Sequence, residues 1–234
     1  YTVIATNTTT LCASNMAGND TISLYPLPAI YNATGGGGYC AGGTGVNVGL
    51  NNSDSGTVYQ LYRGTTMVGV PDTGTGAAIT FGLQTTAGIY TIGATSLSSG
   101  CTNDMSGSAS VTINALPYAY NLTGGGGFCA GGSGVGVLQS GSDVGVNYQL
   151  YNGGTAVGPA MPGTGYSLNF GLQTATGTYT VMATDASTAC VSTMLSSASV
   201  LENPLPTNYY VVGGGSYCAG SAGVNIGVNS SDAG

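Results

Sequence analysis

The sequence has almost no charge. It contains one basic residue, Arg63, and eight acidic residues, and it has no Lys, His or Trp. Nucleic-acid binding needs several Lys or Arg to replace phosphate counterions, and an acidic membrane surface attracts the same residues. Without imidazole there is neither a Ser-His-Asp nor a Cys-His arrangement. The composition therefore argues against a nucleic-acid partner, a membrane-surface footprint and His-dependent catalysis.

Long apolar runs and helical periodicity are also missing. No run approaches the roughly 20 apolar residues of a membrane-spanning helix, so we expect no membrane insertion in this segment. The abundant residues are Gly, with 43 copies, Tyr, with 16, and many Val, Ile and Thr. Aromatic and β-branched residues favour strands, while Gly, Asn, Asp and Pro favour turns. The composition predicts an all-β protein.

The chain repeats itself every 89 residues. Leu-Pro recurs at residues 27–28, 116–117 and 205–206, and an aromatic-Cys-Ala-Gly motif recurs at 39–42, 128–131 and 217–220. The period predicts two complete domains, at 28–116 and 117–206. Residues 1–27 then correspond to the closing strands of a preceding repeat, and residues 207–234 to the opening strands of a following one. We expect the chain to be part of a longer array.

Alternation and turn residues within one repeat predict seven short strands. A run of four glycines, at residues 35–38, is interpreted as a flexible or tightly packed crossing between the first two strands. Seven strands with turn signals every eight to twelve residues are typical of a two-sheet sandwich of about 90–100 residues. The predicted strands of the first complete repeat are residues 29–34, 46–50, 58–63, 67–70, 78–81, 89–95 and 108–113.

Two motifs and the placement of the cysteines resemble a known family. The Gly-x-Tyr sequences at 88–90 and 177–179 look like the start of the sixth strand of Ig domains, where the Tyr forms a corner hydrogen bond. The Tyr-Gln-Leu-Tyr sequences at 59–62 and 148–151 resemble the third strand, with Leu where the family usually has Trp. Val48 and Ile92 stand near the positions of the inter-sheet cysteines of antibody domains.

Each repeat also has one cysteine before its second strand and one in the loop before its last strand. This pattern resembles the bacterial Ig-like repeats of very large secreted, surface-attached proteins in gliding and type IX-secreting bacteria. The resemblance implies tandem Ig-like seven-stranded β-sandwiches at an extracellular or cell-surface location.

The six cysteines fall into two series with the same period. The first series is Cys40, Cys129 and Cys218, and the second series is Cys12, Cys101 and Cys190. The resemblance implies bridges within each repeat, because the Ig topology is expected to bring the second-strand start and the last-strand loop to the same end. The implied bridges are Cys40–Cys101 and Cys129–Cys190, with Cys12 and Cys218 left to partners outside the chain. The alternative pairing, Cys12–Cys40 and Cys101–Cys129, would join adjacent repeats.

Bridges of either kind would place the protein in an oxidising compartment. Isolated cysteines without His at ligand spacing do not indicate a zinc site. One carboxylate recurs in every repeat, as Asp54, Asp143 and Asp232, in the turn after the second strand. We interpret it as an Asx-type turn; the alternative, a Ca²⁺ ligand, needs several carboxylates that do not repeat here. We expect no metal, cofactor or catalytic residue.

Four strand tyrosines are the candidate ligand contacts. Tyr59, Tyr62, Tyr148 and Tyr151 could stack sugars, although aromatics on strands are more typical of the core or of cross-strand pairs. We therefore keep two hypotheses for these residues, a glycan contact and a structural role.

The charged fraction of 4% bears on function. Soluble domains usually carry about a quarter charged residues, and a neutral surface offers little repulsion between copies. Near-identical repeats present the same patch at regular steps, which favours open assemblies. The sequence predicts a non-enzymatic structural subunit of an extracellular filament, sheath or surface stalk that self-associates. The alternative is an adhesin module that binds glycans or another cell surface.

Overall fold

The computed structural model describes residues 1–233, and every regular element in them is a β-strand. No helix in this range could span a membrane. The strands up to the end of the first complete repeat are β1 (Ile4–Thr6), β2 (Ala13–Asn15), β3 (Ala33–Gly35), β4 (Gly37–Cys40), β5 (Val46–Leu50), β6 (Thr57–Arg63), β7 (Thr66–Thr73), β8 (Ile79–Gln84), β9 (Gly88–Ser96), β10 (Thr102–Asp104) and β11 (Ala109–Asn114). The remaining strands are β12 (Leu122–Gly124), β13 (Gly126–Cys129), β14 (Val135–Gln139), β15 (Val146–Asn152), β16 (Thr155–Pro162), β17 (Leu168–Gln173), β18 (Gly177–Asp185), β19 (Val191–Thr193), β20 (Ala198–Asn203), β21 (Val211–Gly213) and β22 (Ile226–Val228).

The first complete repeat is a sandwich of two sheets. One sheet has the order β3-β5-β8, and the other has the order β4-β11-β9-β6-β7, with β10 paired to β9. Neighbouring strands are antiparallel except for β4, which runs parallel to β11. This arrangement confirms the predicted all-β, Ig-like sandwich fold.

The second complete repeat has the same architecture. Its sheets have the orders β12-β14-β17 and β13-β20-β18-β15-β16, with β19 paired to β18. The registers also coincide at the period of 89: Tyr59 pairs with Ala94 in the first repeat, and Tyr148 pairs with Ala183 in the second. The sequence repeat is therefore a repeat of strand pairing as well.

The glycine run is a tight crossing from one sheet to the other. Gly35, Gly36 and Gly37 have φ angles of +85°, +79° and +121°, in the region that favours glycine. At Gly35 a Cβ atom would collide with the backbone carbonyl of Asn47, on the facing strand β5. Only glycine lets the chain leave β3 in one sheet and enter β4 in the other within two residues.

Each core is built from the inward-facing residues of both sheets. Along β6, Thr57, Tyr59 and Leu61 are buried while the residues between them are partly exposed, as expected for a half-buried strand. Leu61 is fully buried where the family usually has Trp, and Val48 and Ile92 lie in the same cluster. The buried residues of this core are Val48, Leu50, Tyr59, Leu61, Tyr90, Ile92, Ala94, Met105, Ala109 and Val111.

The tyrosine corner predicted from the Gly-x-Tyr motifs is present in both repeats. The Tyr90 hydroxyl donates to the carbonyl of Thr86 at 2.8 Å, and the Tyr179 hydroxyl donates to the carbonyl of Ala175 at 2.8 Å. Both tyrosines are 1% exposed, so the hydrogen bond satisfies a hydroxyl that water does not reach. The corner fixes the loop between β8 and β9 against the start of β9.

The two terminal segments form separate hairpins. Strands β1 and β2 pair with the register of β9 and β10, and β21 and β22 pair with that of β3 and β5. Val3 is 63% exposed, whereas Ile92, its equivalent in a complete repeat, is 1% exposed. Contacts divide the chain into two compact units, residues 1–114 and 115–234, each containing one complete sandwich. The hairpins thus present faces that are core in the complete repeats.

The corner hydrogen bond should contribute measurably to stability. We expect Tyr90→Phe to lower the free energy of unfolding of the first unit by about 1–2 kcal/mol, because it removes a buried hydrogen bond and leaves the ring in place. Urea denaturation followed by tyrosine fluorescence measures this change. The matched control is Tyr62→Phe on the half-buried side chain of β6, which should stay within roughly 0.5 kcal/mol of wild type. Equal effects of the two substitutions would contradict the role assigned to the corner.

Candidate functional site

The four candidate tyrosines do not form one surface. Tyr59 and Tyr148 are 0% exposed and lie in the two cores, so the prediction that they contact a glycan is wrong. Their partners Tyr62 and Tyr151 are half-buried. The reason is the alternation of side chains along a strand, which sends residues 59 and 62 to opposite faces of the sheet. The structural hypothesis holds for Tyr59 and Tyr148.

The recurring aspartate is the centre of a hydrogen-bonded cluster. In the first repeat, Asp54 Oδ1 accepts a hydrogen bond from the Tyr31 hydroxyl at 2.6 Å, and the Asp54 backbone N–H donates to the Tyr59 hydroxyl at 2.9 Å. The second repeat has the same bonds, from Tyr120 to Asp143 at 2.7 Å and from the Asp143 N–H to Tyr148 at 2.8 Å. We call each of these the Tyr-Asp-Tyr cluster.

The hairpin β21–β22 keeps part of this cluster. Tyr209 donates to Asp232 Oδ1 at 2.7 Å, and the Thr207 N–H donates to Asp232 Oδ2 at 2.7 Å. The carboxylate thus binds a tyrosine from the start of its repeat, where the sequence predicted a local Asx turn. The missed signal was a tyrosine 23 residues before each of the three aspartates.

The cluster holds the first residues of a repeat in place. Tyr31 follows the Leu-Pro pair and also bonds to the segment after β10: its N–H donates to Met105 Sδ at 3.4 Å, and its carbonyl accepts from Ser106 N–H at 2.8 Å. One side chain and its backbone therefore connect three segments that are distant in sequence. The arrangement can fix the direction in which the chain enters the sandwich.

The electrostatics agree with a structural role for the cluster. The hydrogen bond to Asp143 raises the pKa of Tyr120 to about 12, with smaller contributions from burial and from the carboxylate charge. The bond to Asp54 raises the pKa of Tyr31 in the same way, and burial raises the pKa of Tyr59. Neutral phenols that donate to an ionised carboxylate hold the pair together over the whole neutral range.

The cysteines of one repeat lie at opposite ends of the same sheet. Cys40 ends β4 and pairs with Asn114 on β11, while Cys101 comes directly before β10. Through β11, the start of β4 is level with Gly88, the first residue of β9, whereas Thr102 pairs with Thr95 near the end of β9.

The strand registers therefore exclude a bridge within a repeat. Cys40 and Cys101 are separated by about ten residue steps along the sheet, on the order of 30 Å at the usual rise per residue. The Cα atoms of a disulfide lie within about 7 Å. The same registers separate Cys129 from Cys190. The expectation that the Ig topology brings the two series to one end was wrong, because β4 runs parallel to β11 and away from the β9–β10 turn.

The oxidation states follow this geometry. Cys40 and Cys190 are each disulfide-bonded, whereas Cys12, Cys101, Cys129 and Cys218 are free thiols. The structure thus contains neither implied bridge, Cys40–Cys101 nor Cys129–Cys190, and neither bridge of the alternative pairing.

The loop before the second-series cysteine differs between the repeats. In the second repeat, Asp185 Oδ1 accepts four hydrogen bonds, from the N–H and hydroxyl groups of Ser187 and Thr188 at 2.6–3.0 Å. These bonds, led by that from the Ser187 hydroxyl, lower the pKa of Asp185 to about 2. In the first repeat Ser96 occupies this position, and its hydroxyl contacts that of Ser98 at 3.2 Å.

A shallow cleft of about 360 Å³ lies between β7 and β8, at the edges of the two sheets of the first repeat. Its lining residues are Val68, Gly69, Val70, Asp72, Thr80, Phe81 and Gln84. Val70, Asp72 and Thr80 are replaced by Pro159, Met161 and Asn169 in the second repeat. Within residues 1–233, no three His, Cys, Asp or Glu side chains come together as a group that could hold a metal ion.

No protein-family model matches the chain, and no curated protein matches it. Solved structures with a similar arrangement include the fibronectin(III)-like modules of Clostridium thermocellum CbhA, at 16% identity and a TM-score of 0.38 over 73% of this chain and 94% of that one. Murine CEACAM1b is similar at 13% identity and a TM-score of 0.36, over 72% and 96%. Chicken CNTN1 domains FN1–FN3 are similar at 9% identity and a TM-score of 0.35, over 81% and 68%. At these values the likenesses identify neither a ligand nor a partner.

The Tyr-Asp-Tyr cluster predicts a specific titration. We expect Asp143→Asn to move the pKa of Tyr120 from about 12 toward its ordinary value of 10, because the charged acceptor is lost. NMR of ¹³Cζ-labelled tyrosine across alkaline pH measures it. The raised pKa also means that the cluster stabilises the fold fully below pH 10 and loses this contribution as the pH rises through 12. Asp104→Asn, which removes an exposed carboxylate of the other repeat, is the control and should leave Tyr120 unchanged.

The Asp185 loop predicts a difference between the repeats in acid. Because the folded pKa of Asp185 is lowered to about 2 from 3.8, its stabilising contribution is complete above pH 3.8 and is lost as the pH falls through 2. We expect Asp185→Asn to remove this pH dependence from the second unit. Hydrogen exchange of the loop amides between pH 4 and pH 2 measures it, with the Ser96 loop of the first repeat as an internal control. An unchanged pH dependence in the variant would refute the assignment.

Proposed function

We propose that this chain is a structural segment of an extracellular filament, sheath or surface stalk built from Ig-like repeats. The observation that supports it most is a contrast within the repeat. Core residues, strand registers and the Tyr-Asp-Tyr cluster recur at a spacing of 89, whereas the loops and the one cleft described above do not. What is repeated is the scaffold.

The cleft helps to distinguish this proposal from an adhesin that binds glycans. A binding site that is repeated for avidity needs its contact residues in each copy. Asp72, the carboxylate of the cleft, is replaced by Met161 in the second repeat. Two of the four tyrosines that could have stacked sugars are core residues. These observations favour the structural role.

The sheet edges make strand-to-strand addition a poor route to assembly. Edge strand β7 contains Pro71 and a register shift opposite Tyr59 and Leu61, and edge strand β16 contains Pro159 and Pro162. Proline removes a backbone donor and bulges distort the edge, and natural sheets use both to prevent edge pairing. Association between copies is therefore expected through sheet faces.

One face has the features that such a contact needs. Leu83 and Leu172 occupy the same position in the two repeats, on the three-stranded sheets, and are 54% and 61% exposed. A large apolar side chain exposed at regular steps on a nearly uncharged surface favours association between copies. We assign the contact between copies to this face.

The location follows from the cysteines. Disulfide bonds persist in oxidising compartments, and Cys40 and Cys190 are disulfide-bonded. An extracellular or cell-surface array is the proposal that combines this chemistry with the neutral surface.

The test is assembly of the purified chain, followed by electron microscopy and light scattering against concentration. We expect ordered filaments with a repeat of one or two domains. The double variant Leu83→Glu, Leu172→Glu should raise the concentration needed for assembly by about ten-fold or more, because a carboxylate buried in the contact costs more than ~1.4 kcal/mol.

The matched control places the same charges on the other sheet. Ser110 and Ser199 are exposed at equivalent positions of β11 and β20, and their replacement by Glu should change assembly little. A stronger effect of the serine variants would show that the contact face is wrong. A chain that stays monomeric at all concentrations would refute self-association.

A further inference from the structure

The cysteines that are oxidised in this chain belong to different series and different repeats. Cys40 is a first-series cysteine at the end of β4, and Cys190 is a second-series cysteine directly before β19. Both are disulfide-bonded, while Cys101 and Cys129, which share their repeats, are thiols. Neither cysteine can reach the cysteine of its own repeat, which lies at the far end of the sheet on the order of 30 Å away.

We propose that the disulfide bonds of this array run between repeats, each joining a first-series cysteine to a second-series cysteine of the following repeat. Cys40 and Cys190 are the pair that satisfies this rule here. Each bond forms when two thiols lose two protons and two electrons to a protein disulfide, which is reduced to a dithiol by thiol–disulfide exchange. In a chain with a further repeat of the same period, the rule gives Cys129 a partner there.

The strand topology suits such a link. The crossing at the glycine run sends β4, and with it the first series, toward one end of the sandwich, while the β9–β10 turn holds the second series at the other. A cysteine at each end allows every repeat to be bonded to both neighbours. The result is a covalent connection between repeats in addition to the polypeptide itself. The inference rests on the cysteines alone and does not depend on the contact face of Leu83 and Leu172.

The composition provides a direct test, because Arg63 is the one basic residue and trypsin therefore cuts the chain once. The fragments are residues 1–63, with Cys12 and Cys40, and residues 64–234, with the other four cysteines. The protein is unfolded with its free thiols alkylated, cut, and run on a gel without reductant. We expect one linked species, which separates into two fragments when dithiothreitol is added.

Four single variants identify the pair. Cys40→Ser and Cys190→Ser should each release the fragments without reductant, whereas Cys12→Ser and Cys101→Ser should leave them linked. Fragments that are released by Cys101→Ser and stay linked in Cys190→Ser would establish a bridge within the repeat and overturn the proposal. Wild-type fragments that separate without reductant would overturn it as well.

A measurement on the unmodified protein guards against variants that do not fold. Pepsin digestion at acidic pH, which suppresses disulfide exchange, followed by mass spectrometry without reduction should yield a linked pair of peptides that contain Cys40 and Cys190. A linked pair that contains Cys40 and Cys101, or Cys12 and Cys40, would contradict the rule.

Discussion

Every sandwich in this chain depends on a backbone crossing that only glycine allows. At Gly35 and Gly36 the chain leaves the three-stranded sheet, where β3 pairs with β5, and joins the larger sheet, where β4 runs parallel to β11. A side chain at Gly35 would collide with the facing strand. The crossing makes one segment the edge of both sheets, and this segment helps to close the core along that side. It also determines where the first-series cysteine lies.

Buried tyrosines take over functions that other Ig-like domains give to Trp and to an inter-sheet disulfide. Tyr59 and Tyr90 fill the core, and each hydroxyl has a partner, the N–H of Asp54 and the carbonyl of Thr86. A buried aromatic ring with a satisfied hydroxyl contributes apolar area without an unpaired polar group. Because Val48 and Ile92 pack between the sheets, the cysteines are not needed inside the core. They lie at the ends of the sheet, where they can bond outside their own repeat.

The same economy extends to the surface. Charge is rare, edges are interrupted by proline and bulges, and the carboxylates of the complete clusters accept hydrogen bonds from tyrosine. Asp54 and Asp143 thus stabilise the start of each repeat while they add little repulsion between copies. Such a domain is suited to stand beside many copies of itself, which is the physical content of the structural proposal.

The 89-residue period, the strands and the tyrosine corner were determined by the sequence by itself, because each depends on local pattern and turn chemistry. Strands β4 and β10 were missed, since Gly37–Cys40 has no strand pattern and becomes a strand only by pairing with β11. The tyrosine partner of Asp54 was missed for a similar reason. Only the tertiary structure decided that Tyr59 and Tyr148 are buried and that the two cysteines of a repeat are far apart. The face and the end at which a side chain lies depend on which strands pair, and that is set by contacts between residues distant in the chain.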